Sequence, residues 1–289
     1  DGLPSSGDGT AVPSRTSPFG HKIRHAADGV NVPSDDLRHF SDPDADFGWD
    51  SSKKDTFFGH TLYMLCYRNP LFKVELPLTM RYTSARRHDS VNFLYAFDEF
   101  LSVCKLSPAN ICLDSAHDNI PTYELLDILG INALIDINGR ASHSTGTPED
   151  ITLDKQAHPI CRGDHPMHFH SYDPCKRADK YRCPLKCGDI SSCPYEEQCS
   201  PSSYGRTVYI KRNSDLRFHT KIPRDSEEYN RIYKERTACE RVNARVLNDY
   251  LLQSLRIRGI DHFSFWTVII GICIHMEARY KASFYYMRR

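Results

Sequence analysis

The sequence has no excess of charge of either sign, because 37 lysine and arginine residues balance 37 aspartate and glutamate residues. A protein that binds nucleic acid usually carries net positive charge, so this balance counts against that class unless the bases cluster on one face. The chain also lacks an apolar run of the roughly 18–20 residues that a membrane-spanning helix needs. The best candidate, residues 263–276, is shorter and is followed by charged residues, which predicts a buried helix.

A secretory signal is also missing, because the first residues are polar and acidic and contain neither a basic region nor an apolar one. This indicates a cytoplasmic protein without membrane contact. The sequence does not begin with methionine, and Leu-Pro-Ser-Ser-Gly at residues 3–7 is poor strand material. We therefore expect a fragment, or a product cut on its N-terminal side, whose first strand is truncated.

Cysteine, in contrast, is abundant, with eleven residues. Five of them have apolar or helical neighbours and are expected to be inert buried thiols: Cys66, Cys104, Cys112, Cys239 and Cys273. The other six crowd into residues 161–199 among histidines, where the missing secretory signal favours metal binding over disulfides. We expect a structural zinc ion on Cys161, Cys183 and Cys187, with Cys175 or a histidine as the fourth ligand. The alternative is a set of free surface thiols and scattered histidines.

The residue pattern predicts an α/β fold. Turn signals occur throughout residues 1–54, which are therefore expected to be rich in loops. The remaining predicted elements of this half are a hairpin of strands 56–67 and 71–82, helix 89–104 capped by Asp89 or Ser90, strand 110–113, helix 123–129 and strand 133–137. In the predicted helix 89–104, Val91, Leu94, Phe97 and Leu101 share one face. The succession of strand, helix and strand implies a βαβ unit in a parallel sheet.

Periodicity is lost over residues 138–223, which read as a Cys/His-rich insertion with one strand near 207–210. Helical spacing returns over residues 225–255 and again over residues 263–280. The sequence therefore divides into residues 1–137, an insertion at 138–223, and a helical part at 224–289.

Three separated acids are candidates for a metal site. Asp8 stands in Gly-Asp-Gly-Thr, Asp114 ends the apolar strand 110–113, and Glu240 lies in the second helical region. Three carboxylates on different elements of an α/β core are suited to holding two magnesium ions side by side. A plain turn at Asp8 is the alternative for the first acid. For Glu240, the alternative is an i,i+4 ion pair with Arg236 on an ordinary charged helix.

The order of these acids, and the Tyr-x2-Arg-x3-Glu spacing of Tyr233, Arg236 and Glu240, resemble DDE transposases of the insertion-sequence type. Three further segments resemble the same branch: residues 42–50, 57–60 and 134–140. The resemblance implies a ribonuclease-H-like mixed sheet flanked by helices, with residues 1–137 and 224–289 forming the catalytic core around the insertion.

By the same resemblance, Asp8, Asp114 and Glu240 are the catalytic acids that bind two Mg²⁺ or Mn²⁺ ions. Tyr233 and Arg236 contact phosphate and DNA ends, and the enzyme acts as a homodimer on transposon ends and target DNA in the bacterial nucleoid. The alternative acids, Asp50, Asp118 and Asp136, fit the motif less well.

One position departs from the family pattern, because Leu247 stands where the motif has lysine. Arg245 is the nearest substitute, although helical phase points it elsewhere. Two rival functions stay open. One is an inactive transposase remnant that acts as a zinc-dependent DNA-binding protein, and the other is a stand-alone nuclease with the same metal core.

Overall fold

The computed structural model describes residues 4–27, 30–104, 107–138, 151–154, 158–176, 178–211, 216–217, 220–224 and 226–287. The chain forms two compact units. The first combines Asp1–His117 with Lys234–Arg289, and the second is Asp118–Tyr233.

The strands in the described part of the chain are β1 (Pro4–Pro13), β2 (His21–Ala27), β3 (Val30–His39), β4 (Asp46–Asp50), β5 (Asp55–Asn69), β6 (Val74–Ser84), β7 (Asn110–Leu113), β8 (Asn132–Ile135), β9 (Thr152–Leu153), β10 (Pro159–Ile160), β11 (His168–Asp173), β12 (Ala178–Arg182) and β13 (Thr207–Lys211). The α-helices there are α1 (Asp89–Val103), α2 (Ile120–Ile128), α3 (Pro184–Cys187), α4 (Glu196–Cys199), α5 (Glu227–Tyr233), α6 (Thr237–Ala244) and α7 (Ile260–Met287). None of the described helices is long and apolar enough to cross a membrane.

The first unit is built on a mixed sheet around the long strand β5. Strand β1 pairs antiparallel with β5, and β4 and β6 also pair antiparallel with β5. Strand β7 pairs with β1 in parallel. The order β6-β5-β1-β7 therefore places β1 in the interior of the sheet, with one antiparallel and one parallel neighbour.

Helices cover both faces of this sheet. Leu62, Met64 and Cys66 of β5 belong to one core cluster with Cys239 and Val242 of α6. Helix α7 adds three buried residues to that cluster, Phe263, Ile270 and Ile274. Because side chains alternate along a strand, Tyr63 and Leu65 point to the opposite face, against which α1 packs. The complete burial of residues 62–66 follows from this double cover.

The expectation that residues 1–54 are loops is wrong, because β1 to β4 lie there. Strand β1 forms although residues 3–7 are poor strand material, since β5 and β7 pair with its two edges and tertiary pairing outweighs intrinsic propensity. Position 7 of β1 has no room for a side chain. A Cβ atom on Gly7 would lie 2.5 Å from the Tyr63 hydroxyl and 2.8 Å from the Leu113 side chain.

Other local predictions match the structure closely. The predicted hairpin is β5 and β6, the predicted helix 89–104 is α1, and strand 110–113 is β7. The N-cap of α1 was predicted wrongly, since the His88 ring accepts from the Ser90 amide. The buried face also differs, because Phe93, Ala96 and Phe100 turn inward with Phe97, whereas Val91 and Leu94 are exposed.

The helical stretch predicted over residues 225–255 is interrupted. Helix α5 ends at Tyr233, a 3₁₀ turn covers Lys234–Arg236, α6 follows, and a π-helical turn covers Arg245–Asp249. Tyr233, Arg236 and Glu240 therefore lie on three successive helical segments and not on one continuous α-helix. The last helix, α7, is longer than the predicted residues 263–280.

The second unit contains a three-stranded antiparallel sheet in the order β11-β12-β13, which includes the strand predicted near residues 207–210. Its apolar cluster is small, with Ile151, Met167, Tyr181, Val208 and Ile210 buried. The segment 134–140, part of the resemblance, is described only as far as residue 138.

Candidate active site

Asp8 lies within β1 and Asp114 directly follows β7, and these two strands pair in parallel. Ser6 of β1 pairs with Cys112 of β7, and two residues further along each chain come Asp8 and Asp114. Neighbouring parallel strands lie about 4.8 Å apart, and residues in step on them point to the same face. The carboxylate of Asp8, within β1, and that of Asp114, directly after β7, therefore lie near the point where β7 ends.

Asp8 points toward α6. It pairs across the sheet with Met64, a residue of the cluster under α6, and the Asn243 side chain donates to Asp8 Oδ2 over 3.4 Å. Burial is the largest of the causes that raise the pKa of Asp8 from 3.8 to about 7, and the carboxylates of Asp114 and Asp89 act in the same direction. His117 and the positive charge of Arg236 act in the opposite direction. The first acid therefore lies in a cluster with an excess of negative charge.

Asp114, which is partly exposed, is held by a chain of hydrogen bonds that leads to the buried side chains of His117 and Tyr63. His117 Nδ1 lies 2.7 Å from Asp114 Oδ1, the Ala116 amide donates to the same oxygen, and His117 Nε2 lies 2.8 Å from the Tyr63 hydroxyl. Burial by itself would raise the pKa of Asp114, but the hydrogen bonds from His117 and Ala116, together with nearby Arg236, lower it. With Asp114 ionised, His117 Nδ1 donates to it, and in a neutral ring Nε2 accepts from Tyr63.

Arg236 and Glu240 form the ion pair that their i,i+4 spacing allows, with 2.7 Å between the guanidinium and the carboxylate. Both belong to the start of α6 and the turn before it. The Arg236 charge also lowers the pKa values of Asp8 and Asp114. A single cation is thus electrostatically coupled to all three predicted acids.

Asp89 is a further acid at this place, and the sequence-based prediction treated it only as a helix cap. It lies in the first turn of α1, and a Cβ atom on Gly9 would be 2.2 Å from Asp89 Oδ1. Burial raises the pKa of Asp89, Asp114 raises it further, and His117 lowers it. No sequence signal marked Asp89, because its approach to β1 depends on the packing of α1 against the sheet.

Two predicted phosphate contacts have protein partners. The Tyr233 hydroxyl donates to Asp136 Oδ2 over 2.7 Å within the second unit, and Arg245 forms an ion pair with Glu277 at 2.7 Å in the first. Leu247, where the sequence resemblance predicted a lysine, packs against the hydrophobic cluster under α6. That position therefore contributes to the core of the first unit.

The remaining acids have local structural roles. Asp50 is at the end of β4 and accepts from the amide and hydroxyl of Ser52 in the following turn. Asp118 in the second unit accepts from the Asn138 amide. Asp42, from the segment 42–50 of the resemblance, is buried and accepts from Ser14, His60 and the Gly259 amide, where it fixes the entry to α7.

The donor set at β1 and β7 suits a hard divalent cation, because carboxylate oxygens are the ligands that magnesium and manganese prefer. Burial first, and then the neighbouring carboxylates of Asp114 and Asp89, raise the pKa of Asp8. Among the residues with described positions, no three His, Cys, Asp or Glu side chains already surround one point closely enough to hold an ion. The positive charge near Asp8, Asp114 and Glu240 comes in part from the Arg236 guanidinium.

Residues 160–276 match the family model described as transposase DDE domain. The matched segment contains Arg236 and Glu240 as well as the cysteine-rich residues 161–199, and it begins after Asp8 and Asp114. The match supports a DDE transposase and hence an enzyme of the class that cleaves DNA in transposition. A comparison with curated proteins gives no match.

Proposed function

We propose that this chain is a DDE transposase of the insertion-sequence type, which cleaves DNA at the ends of a mobile element and transfers the strands to target DNA. The observation that carries the proposal is the proximity of Asp8, within β1, to Asp114, directly after β7. Arg236 is electrostatically coupled to both acids and forms an ion pair with Glu240. The family match over residues 160–276 supports it independently.

A ribonuclease-H-like core is the fold that we propose for the first unit. The order β6-β5-β1-β7, with β1 antiparallel to β5 and parallel to β7, supports it, as do the helices on both faces. We propose that residues 1–137 and 224–289 form the core and that residues 138–223 are an insertion. The compact second unit, Asp118–Tyr233, supports a separately folded middle segment.

Asp8, Asp114 and Glu240 would hold the two Mg²⁺ or Mn²⁺ ions. Bound ions of this kind activate a water or 3′-hydroxyl and stabilise the leaving oxygen in phosphoryl transfer. The chain's own residues position the acids. His117 and the Ala116 amide fix Oδ1 of Asp114, and Asn243 holds Asp8. Glu240 would become a ligand once Arg236 turns from it toward a DNA phosphate.

DNA would also contact the second unit, on the side chains around the sheet β11-β12-β13. The Arg182 guanidinium lies 3.4 Å from the Tyr204 ring centroid, and the Lys180 ammonium lies 4.9 Å from the same ring. Lys176 stacks on Tyr209 in the same manner. Exposed cations supported by aromatic rings suit a phosphate backbone.

We propose Tyr233 and Arg245 as additional contacts to DNA ends. We also propose that the protein acts as a homodimer bound to paired ends.

A nicking assay tests the proposal. Supercoiled plasmid is incubated with the full chain and Mn²⁺, and the expected product is nicked and linear DNA that disappears with EDTA. Asp114→Ala and Glu240→Ala should each lower the rate by at least about a hundredfold, which corresponds to roughly 2.7 kcal/mol. Asp50→Ala is the matched control, because that acid has only a turn to stabilise, and it should retain full activity.

A strand-transfer assay, in which a DNA duplex with a free 3′-hydroxyl end is added to the plasmid, separates the rival functions. A stand-alone nuclease would nick the plasmid but would not join a 3′-hydroxyl end to it. An inactive remnant would bind DNA and leave it intact with either metal, and the replacement of the family's lysine by Leu247 in the core is the feature that favours this alternative. Cleavage that is indifferent to Asp114→Ala would refute the proposed site.

A further inference from the structure

Four cysteines of the second unit line one small cavity: Cys161, Cys183, Cys193 and Cys199. This set differs from the one that the sequence spacing suggested. Cys175 is exposed and does not line the cavity, and Cys187 lies one helical turn beyond Cys183 without lining it. All six of these cysteines are free thiols.

Short turns bring the four residues together. Cys161 precedes a tight turn in which the Asp164 amide donates to the Cys161 carbonyl and Asp164 adopts a φ of 58°. Gly163 in this turn has no side chain to fill the cavity. A Cβ atom there would lie 3.1 Å from the Cys193 sulfur and 3.8 Å from the Cys161 sulfur. These two thiols, although 32 residues apart in the sequence numbering, therefore flank the same position.

The other side of the cavity is built in the same way. The Cys183 amide donates to the Arg206 carbonyl over 2.9 Å, and a Cβ atom on Gly205 would lie only 2.8 Å from the Cys183 Cβ. Cys199 is fixed by its amide, which donates to the Tyr195 carbonyl. The backbone around Gly205 and Arg206 thus lies close to Cys183, on the side of the cavity opposite Gly163.

The part of the second unit around the cavity, residues 161–206, has few buried apolar side chains. Helices α3 and α4 have four residues each, and α4 buries none of them. A small lobe with so few buried residues usually needs a cross-link or a structural metal. Lys186, Glu196 and Arg206 also line the cavity, and the Lys186 ammonium is ion-paired with the Glu196 carboxylate.

We propose that Cys161, Cys183, Cys193 and Cys199 form a tetrathiolate site for one structural zinc ion. Thiolates are the ligands that select zinc, and four of them give the closed tetrahedral shell of a structural site. Each thiol loses its proton on binding. The sulfur atoms of the described chain do not yet surround one point at ligand distance, so binding includes rotation of the cysteine side chains into the cavity.

The first test uses the unmodified full chain, purified without chelator. Elemental analysis should find one zinc per chain. Cobalt substitution should give the intense visible bands of a tetrahedral thiolate site. Alkylation with and without chelator, read by mass spectrometry, should show Cys161, Cys183, Cys193 and Cys199 protected only with metal, whereas Cys175 reacts in both states. These readouts do not depend on DNA cleavage, so they can fail while the proposed function holds.

Variants give the second test. Replacement of each proposed ligand by serine should lower zinc occupancy at least about tenfold, and Cys175→Ser and Cys187→Ser are the matched controls that keep it. Three outcomes would overturn the proposal: no zinc or cobalt binding by the full chain, disulfides between these cysteines under reducing purification, or loss of metal in Cys187→Ser with metal retained in Cys193→Ser or Cys199→Ser.

Discussion

The Arg236 guanidinium lies 2.7 Å from the Glu240 carboxylate, and the same positive charge lowers the pKa values of Asp8 and Asp114. One arginine therefore offsets the charge of all three acids of the proposed metal site. A divalent ion at Asp8 and Asp114 would repel this guanidinium, so metal binding and the Arg236–Glu240 pair should compete.

This competition predicts opposite effects of Arg236→Ala on metal binding and on catalysis. Mn²⁺ should bind more tightly, by roughly tenfold or about 1.4 kcal/mol, as measured by calorimetry. DNA cleavage should fall, because a phosphate contact is lost. Arg241→Ala on the same helix is the control, since Arg241 pairs with Glu75, and it should change neither quantity. Weaker Mn²⁺ binding by Arg236→Ala would contradict the competition.

Asp8 should make stability depend on pH. Its folded-state pKa of about 7 is above the ordinary 3.8. Between these values the folded chain therefore binds a proton that the unfolded chain has lost, and stability falls as pH rises from about 4 to 7. At pH 8, Asp8→Asn should stabilise the protein by up to roughly 4 kcal/mol while it abolishes cleavage. Urea unfolding at pH 5 and pH 8 measures this.

The control for Asp8 is Asp98→Asn, an exposed position on α1. It should change stability by less than about 0.5 kcal/mol at either pH. Added Mn²⁺ should raise the melting temperature of the unmodified protein and leave that of Asp8→Asn unchanged. An Asp8→Asn variant that is less stable at pH 8 than at pH 5, relative to the parent, would refute the assignment.

The hydrogen-bond chain from Asp114 through His117 to Tyr63 predicts graded effects of mutation. Tyr63→Phe removes one partner of a buried ring and should cost about 1 kcal/mol. His117→Ala leaves both Asp114 and the buried Tyr63 hydroxyl with fewer partners, and it should cost roughly 2–4 kcal/mol. In a double-mutant cycle, Tyr63→Phe should cost less in the His117→Ala background. Additive losses would mean that the three groups do not act as one chain.

The close approach of Asp89 to Gly9 can be tested by adding one methyl group. Gly9→Ala places a Cβ atom where Asp89 Oδ1 lies, and should destabilise the protein by roughly 1–3 kcal/mol. Asp89→Ala removes the obstacle, so Gly9→Ala should cost much less in that background. Gly130→Ala cannot serve as the control for this pair, because Gly130 has a φ of +73° and an alanine there would be strained regardless of its neighbours. Equal costs of Gly9→Ala in both backgrounds would show that Asp89 does not occupy this place.

A lysine at position 247, where the sequence resemblance predicted one, should not increase the activity of this chain. Leu247 packs against the cluster under α6, so Leu247→Lys would push a charge toward apolar neighbours and cost roughly 1–3 kcal/mol. Leu247→Met, of similar volume, is the control and should cost less than about 1.5 kcal/mol. If Leu247→Lys increased cleavage without loss of stability, this position would have to be able to reach DNA.

Several features could be read from the sequence because they depend on neighbours along the chain. Alternating and helical spacing gave the β5–β6 hairpin, the bounds of α1, and strand β7 with Asp114 at its end. The i,i+4 ion pair of Arg236 and Glu240, which the spacing offered as the alternative to a metal-binding Glu240, is present in the structure. The six cysteines in residues 161–199 are grouped in the segment where we propose a metal site.

Other features depend on residues that are distant in the sequence, and only the tertiary structure decided them. Strand β1 exists because β5 and β7 pair with it, although its own residues are poor strand formers. Asp89 joins the acids because α1 packs across β1, and no local pattern contains that approach. The turns at Gly163 and Gly205 likewise determine which cysteines share a cavity. Spacing in the sequence shows only which thiols are near each other along the chain. The folded backbone determines which of them are near each other in space.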